Sequence, residues 1–213
     1  MGKIIWNAGF GRKNTTEDSR MCRELVTNIR KKTNNLEDMP GRAQEVLDYF
    51  EIDDFSEGVP IIRILKKLGF KIYQKELKPE GLSAYIAVNP QYQDIYGSNK
   101  ITCVHAKDNA GHKRFALAHE LAHYLFDFNE NENLIYYNTY FPRKADNCEE
   151  EKRANRFAAN LLMPEKEFRK HFKEYQSLQS KADIVTALGD YFKVSATAVL
   201  RRFKELGIEG FDD

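Results

Sequence analysis

The sequence predicts an α+β fold, in which a small antiparallel sheet packs on helices and a helix-turn-helix-like tail follows. Three observations favour this class. Short segments that alternate apolar and polar residues lie in the first half of the chain, and turn residues bound them. The later segments repeat apolar residues at helical spacing. The C-terminal segment divides at Val194 and Ser195 into two short amphipathic helices.

Three helices are predicted in the N-terminal part of the chain. Residues 1–15 show no clear period and are interpreted as an arm or a weak strand. A helix over 16–32 follows from the spacing of Met21, Leu25 and Ile29. A loop over 34–41 contains Pro and Gly, which interrupt a helix. Two further helices are predicted over 43–50 and 59–69, the second with Pro in its first turn and a terminal glycine.

The sheet is predicted in the middle of the chain, and helices are predicted in the remainder. The expected strands are 70–74, 83–88 and 100–105, with turns between them. Helices are then expected over 113–128, 147–163, 165–175 and 181–206, the last of which is divided in two. Pro164 ends the second of these helices, because proline lacks the amide hydrogen that a helix interior needs.

Composition excludes several classes of protein. The 213 residues include 33 Lys and Arg against 32 Asp and Glu, which argues against a strongly basic nucleic-acid binder. No apolar run reaches the ~18–20 residues that span a bilayer, so no membrane segment is expected. Three scattered cysteines do not form a disulfide framework. We therefore predict a cytoplasmic protein with reduced thiols.

The strongest motif is H-E-x-x-H at residues 119–123, inside a predicted helix. His119 and His123 stand one turn apart on one helix face, so both imidazoles can reach the same zinc ion. The apolar residues of the helix fall on another side, where they can anchor it to the core. The motif also occurs by chance in helices with two incidental histidines, so a third ligand is needed to support the interpretation.

Glu151 is the candidate third ligand. It lies three residues before Ala154, which begins an apolar stripe, and therefore points along the edge of the buried face of its helix. Its neighbours Glu149 and Glu150 fit the alternative, in which acidic residues merely stabilise a helix N-terminus. Asn155, one turn later, can orient a ligand residue by a hydrogen bond without binding the metal itself. Cys148 is interpreted as a bystander.

These residues resemble the ImmA/IrrE family of bacterial zinc metallopeptidases. The resemblance rests on H-E-L-A-H and on E-x-x-A-N-x-F-A-A-x-L-L-M-P, which starts 28 residues after His123. It extends over roughly residues 40–208, and it departs from the family pattern at His105 and Ala116. The resemblance implies a gluzincin-like site with one zinc ion per chain on His119, His123 and Glu151, and with Glu120 as general base. No cofactor other than the metal is implied.

An oxyanion-stabilising residue is usually required as well. The candidates are left open, and a surface role is the alternative for each of them. They are Tyr136, Tyr137, Tyr140, Arg143 and His171.

The C-terminal helices are interpreted as a packing or partner-docking element. Residues 178–208 contain 5 Lys and Arg against 3 Asp and Glu, a weaker basic excess than readers of DNA normally carry. We predict three parts, namely an arm and helix of unassigned role at 1–38, a zinc metallopeptidase domain at 39–176, and the helix-turn-helix-like tail at 177–213. Contact with DNA is the less favoured alternative.

The resemblance implies that the substrate is a helix-turn-helix transcriptional repressor, whose cleavage would derepress genes of a mobile element or a stress response. Two alternatives remain. One is a zinc-containing regulator that binds DNA or a repressor without proteolysis. The other is a processing protease, or a toxin-like component, with a different target.

Overall fold

The computed structural model describes residues 16–78, 81–128, 137–138, 148–178 and 180–211. The predicted arm at residues 1–15 lies outside the described residues. Within these ranges the chain is mostly helical, with a small sheet on one side, so the α+β class is confirmed.

The described part of the chain contains the following helices and strands, in order. The helices are α1 (Thr16–Arg30), α2 (Met39–Tyr49), α3 (Ile61–Lys67), α4 (Tyr92–Tyr96), α5 (Ala110–Phe126), α6 (Glu149–Leu162), α7 (Glu165–Tyr175), α8 (Lys181–Phe192) and α9 (Ala196–Glu205). The strands are β1 (Lys71–Lys75), β2 (Ala84–Val88), β3 (Lys100–His105) and the two-residue β4 (Tyr137–Asn138). A 3-10 turn over Leu36–Asp38 precedes α2.

The expected loop over 34–41 is shorter than predicted. Helix α2 begins at Met39 and carries Pro40 in its first turn, where a missing amide hydrogen has no cost. Gly41 therefore lies within the helix as well. The short helix α4 has no counterpart among the predicted elements.

The sheet has the order β1-β3-β2-β4 and is mixed rather than wholly antiparallel. Strand β2 pairs with β3 in the antiparallel sense, as predicted, but β1 pairs with β3 in parallel. The prediction of a purely antiparallel sheet is therefore wrong for this pair. The chain between β1 and β3 contains β2 and α4, which is long enough for the crossover that parallel neighbours need.

Among the described residues, one hydrophobic core joins the helices to the sheet. Helix α5 lies at its centre, since it packs against β2 and β3 on one side and against α6 on another. The core extends from Ile29 of α1 through Leu121 of α5 to Phe203 of α9, and all three side chains are fully buried. The division into parts at residues 38 and 176 stays a prediction.

Helix α1 is tied to the end of α5 by a cation. The Arg30 guanidinium donates a 2.6 Å hydrogen bond to the carbonyl of Tyr124, and it lies 5.0 Å from the centre of the same residue's ring. The last carbonyls of a helix have no partner within the helix, so this arginine satisfies one of them.

The turn between α8 and α9 packs directly on the first turn of α5. A Cβ atom on Gly111 would lie 2.6 Å from the backbone nitrogen of Ser195 and 2.7 Å from the carbonyl carbon of Val194. Only a glycine allows this approach, because such distances are far inside van der Waals contact. The helix-turn-helix-like tail is therefore packed against the helix that carries the H-E-x-x-H motif.

A buried arginine joins α9 to the end of α6. Arg202 is 1% exposed, and its guanidinium donates to the carbonyl of Met163 at 3.1 Å and to the amide oxygen of Asn160 at 2.9 Å. Glu205 lies 3.0 Å from the same guanidinium and balances its charge. Within the described ranges, every helix is too short or too polar to cross a bilayer.

We predict that Arg202→Ala lowers the free energy of unfolding by about 3–5 kcal/mol, because it leaves the carbonyl of Met163 and the amide oxygen of Asn160 buried without their donor. The neighbouring Arg201 is exposed and provides the matched control, for which we expect a change within about 0.5 kcal/mol. Urea unfolding followed by circular dichroism measures both. Equal losses in the two variants would contradict this account of the tail.

Candidate metal centre

Helix α5 positions two histidines on one face and its packing residues on another. Asn109 caps its N-terminus, and the side chain accepts a 2.8 Å hydrogen bond from the backbone of His112. Leu117 and Leu121 are buried in the core. His119 and His123 follow at the four-residue spacing and share the other face, where their ring centres lie 4.7 Å apart.

Helix α6 brings a carboxylate to that face. Ala154 and Ala158 are fully buried, and such small side chains allow the two helices to approach closely. The side chain of Asn155 lies 3.1 Å from His119, and the carboxylate of Glu151 lies 3.2 Å from both histidines. Glu151, in the first turn of α6, consequently lies opposite the histidine pair.

Three potential ligand atoms converge at this contact. The Nε2 atoms of His119 and His123 lie 3.0 Å apart, and each is 3.2 Å from a carboxylate oxygen of Glu151. These residues form the group of metal-ligating side chains found among the described residues. Atoms at such separations can all lie ~2 Å from one common point, as zinc coordination requires.

The outward-facing nitrogen of each histidine is held by an oxygen. Nδ1 of His119 lies 3.1 Å from Oδ1 of Asn155, and Nδ1 of His123 lies 2.6 Å from Oδ2 of Asp127. An oxygen acceptor at Nδ1 favours the tautomer with the hydrogen on that atom, so that Nε2 presents its lone pair to the centre of the cluster. Both lone pairs therefore point at the carboxylate of Glu151, a donor set that suits a divalent cation.

Asp127 was not among the residues predicted from the sequence. Its second oxygen accepts a hydrogen bond from Arg153 of α6, and Arg153 also donates to the carbonyl of Asn34 at 3.2 Å. The spacing of Asp127, four residues after His123, is a signal that sequence reasoning could have used. The pairing with Arg153 depends on the contact between α5 and α6 and has no local signal.

The electrostatics of the cluster fit a cation. Burial lowers the pKa of His123, but hydrogen bonds from its ring to Asp127 and Glu151 outweigh burial and raise that pKa to about 9. Burial raises the pKa of Glu151, but hydrogen bonds to His119 and His123 dominate and lower it to about 2. A cluster that holds a proton this strongly offers negative potential to a metal ion, which competes with protons for the same lone pairs.

One oxygen of Glu151 also fits a metal ligand. Its buried Oε1 lies 3.2 Å from Nε2 of His123 and accepts no hydrogen bond from the other described residues. A cation at the centre of the cluster would give this oxygen a further partner, which a buried carboxylate needs. The residues present therefore fit a metal ion.

Glu120 lies beside the cluster and points into the interior. It is 7% exposed, and burial raises the pKa of its carboxyl. The backbone amide of Ile86 on β2 donates a hydrogen bond to the carboxylate, while Oε2 receives none from the described residues. The contact with Ile86 is a backbone contact between distant segments, so no sequence pattern indicated it.

Among the described side chains, none of the remaining candidates belongs to the cluster. Tyr136, Tyr140 and Arg143 fall outside the described residues, and Tyr137 is described only through the pairing of β4 with Val88 of β2. His171 is buried between α7 and α8, where its ring lies 3.8 Å from that of Tyr191. Cys148 is the N-cap of α6 and does not belong to the metal-ligating group.

Comparison with known proteins adds two findings. A solved structure, a Mycobacterium tuberculosis transcriptional regulator, matches with a TM-score of 0.50 and 15% sequence identity, over 86% of this chain. The matched region is 51% of that protein, so the chain spans about half the length of this structural neighbour, and the likeness concerns the fold alone. No curated protein sequence matches the chain.

The second finding concerns the sequence family. The model of the IrrE N-terminal-like domain, Peptidase_M78, matches residues 65–204, which is more than half of the 213-residue chain. The match runs from α3 to α9 and contains the whole cluster, together with Glu120. The chain therefore belongs to the IrrE N-terminal-like family, Peptidase_M78.

Proposed function

We propose that the chain is a zinc-dependent metallo-endopeptidase that acts on a protein. The single observation that supports this most is the convergence of two imidazole nitrogens and one carboxylate at 3.0–3.2 Å, with the buried Glu120 beside them. Two histidines and a glutamate are a common ligand set for catalytic zinc, and they leave a coordination position for water or substrate.

His119, His123 and Glu151 would hold the metal, and Asn155 and Asp127 would orient the two imidazoles. A zinc ion held there would polarise the scissile carbonyl and lower the pKa of an attacking water. His119 and Glu151 are more exposed than His123, with side-chain exposures of 17% and 12% against 2%. A substrate therefore reaches the cluster from the side of His119.

Glu120 would handle the proton of the reaction. Burial raises the pKa of its carboxyl, which makes the carboxylate a stronger base than an exposed glutamate. The backbone amide of Ile86 holds the carboxylate from the side of β2. Glu120 would take the proton from the attacking water and pass it to the leaving amine.

We further propose that the substrate is a helix-turn-helix transcriptional repressor in the cytoplasm. The motif resemblance to ImmA/IrrE peptidases supports this proposal. Cleavage of the repressor would derepress genes of a mobile element or a stress response. Membership of a peptidase family supports a protein as the partner.

The second candidate is a regulator that contains zinc and binds DNA or a repressor without proteolysis. The arrangement of α8 and α9 around a tight turn favours it. Two contacts weigh against DNA readout, in which the start of the second helix normally reaches the bases. That start is packed on Gly111 of α5, and Arg202 of α9 is buried.

We predict that Glu120→Gln retains the metal but loses at least ~100-fold in hydrolysis rate, since general base catalysis contributes about 10²–10⁴-fold. The assay follows cleavage of a purified helix-turn-helix repressor by mass spectrometry of the fragments. Full action by a metal-loaded Glu120→Gln protein would support the second candidate instead.

We predict that Glu151→Ala loses most of its bound zinc, because two histidines alone make an incomplete site. Glu149→Ala is the matched control, since Glu149 lies in the same first turn but is exposed and pairs with Lys152 at 2.8 Å. Metal content is measured by plasma mass spectrometry after dialysis. Full zinc stoichiometry in Glu151→Ala would refute its assignment as a ligand.

We predict that Asp127→Asn weakens zinc affinity by about 10–100-fold, because a carboxylate partner orients a histidine ligand and raises its basicity. Competition with a fluorescent chelator measures the affinity. Asp108→Asn is the control, since Asp108 is also near a histidine, His112, but lies away from the cluster. Wild-type affinity in Asp127→Asn would show that the hydrogen bond to His123 is dispensable.

A further inference from the structure

A cleft of about 310 Å³ opens where α5, α6 and α9 meet. Phe115 contributes from α5, Asn155 and Arg156 from α6, and Arg201 from α9. The cleft is open to solvent and forms a groove on the surface of the protein.

The cleft adjoins the proposed metal centre. Phe115 lies one helical turn before His119, and Asn155, which lines the cleft, contacts the His119 ring at 3.1 Å. One turn of helix is ~5.4 Å, so a chain bound at the metal centre reaches the cleft within about two residues. The cleft is therefore placed to contact the residues that flank a scissile bond.

The lining carries an excess of positive charge. Four cationic side chains, Lys152, Arg156, Arg201 and Arg202, face a single carboxylate, that of Glu205. Glu205 lies 3.1 Å from Arg156 and 3.0 Å from Arg202, so it is already shared by two arginines. The positive charges of Lys152 and Arg201 are therefore not balanced by any acidic residue that lines the cleft.

Arg201 is the cation best placed for a ligand. It is exposed, and none of the described residues forms an ion pair with it. Lys152, across the cleft on α6, is exposed, and its ion-pair partner among the described residues is Glu149 on the surface. An exposed pair of this kind contributes little and exchanges readily for another carboxylate.

The floor of the cleft is apolar. Ala159 and Ala198 are buried there, each 7% exposed, and the half-buried ring of Phe115 forms one wall. A cationic rim above an apolar floor suits a peptide that presents a carboxylate next to an apolar side chain. A nucleic-acid backbone offers phosphates but no such apolar group at the same spacing.

We propose that this cleft is a specificity subsite, which binds an acidic residue and an adjacent apolar residue of the protein substrate. The carboxylate pairs with Arg201, and the apolar side chain packs on Phe115. The proposal rests on the peptidase function proposed above and adds the class of sequence that the enzyme selects. It also gives α9 a role in substrate binding, since Arg201 points outward while Arg202 holds the helix in place.

Binding of defined peptides to the full chain tests the subsite. The zinc-loaded Glu120→Gln protein is titrated into three fluorescein-labelled peptides that differ at one position, which is Glu, Gln or Lys beside Leu. We expect the Glu peptide to bind most tightly. Arg201→Glu should weaken its binding by about tenfold, or about 1.4 kcal/mol, because repulsion replaces attraction.

Lys204→Glu is the matched control, because Lys204 is also exposed on α9 but does not line the cleft. We expect less than a twofold change in this variant. Arg201→Glu should in turn bind the Lys peptide better than the wild type does, a gain that misfolding cannot produce. Equal affinity for the three peptides, or equal losses in the two variants, would overturn the subsite.

Two further outcomes separate the subsite from other readings. Unlabelled duplex DNA that displaces the Glu peptide, and binds in an Arg201-dependent manner, would overturn the peptide assignment in favour of nucleic acid. Cleavage of the repressor by the wild type without any preference among the peptides would leave the proposed function standing and refute the subsite. Arg201-dependent peptide binding, with no cleavage of the repressor by the wild type, would support a peptide-binding site in the cleft and refute the proposed peptidase function.

Discussion

The close contact between α5 and α6 is the constraint on which the rest of the structure depends. Ala154 and Ala158 have side chains small enough for the helices to approach, and both are fully buried. This one contact brings Glu151 and Asn155 to the histidine face of α5. A larger residue at either alanine would push the helices apart and separate the potential ligands, although the ligand residues themselves would be unchanged.

Helix α6 is held near both ends by charged hydrogen-bond networks. At its start, Arg153 joins Asp127 of the α5 C-terminus to the carbonyl of Asn34. At its far end, Arg202 of the tail holds Met163 and Asn160. The tail and the segment before α2 therefore both act on the position of the helix that carries Glu151, even though neither contributes a ligand atom.

Sequence patterns predicted the elements well where the signal was local. The extents of α5 and α6, to within three residues at each end, and the grouping of His119, His123 and Glu151 followed from helical spacing and from the motif resemblance. The parallel pairing of β1 with β3 did not follow from the sequence pattern. The direction of pairing depends on the path of the connection between two strands and not on the alternation of residues within a strand. The start of α2 was obscured by Pro40, which is tolerated in a first turn.

The sequence alone does not show which of the adjacent residues Arg201 and Arg202 is buried. The chain itself dictates which side chains share a face of a helix, since that depends only on the 3.6-residue period. It therefore set the pairing of His119 with His123. Which of two adjacent arginines lies in the core, and which carboxylate reaches the histidines, depended on contacts between helices far apart in the chain. Those contacts arise only when the core packs, because the free energy that selects them comes from burial and from hydrogen bonds across elements.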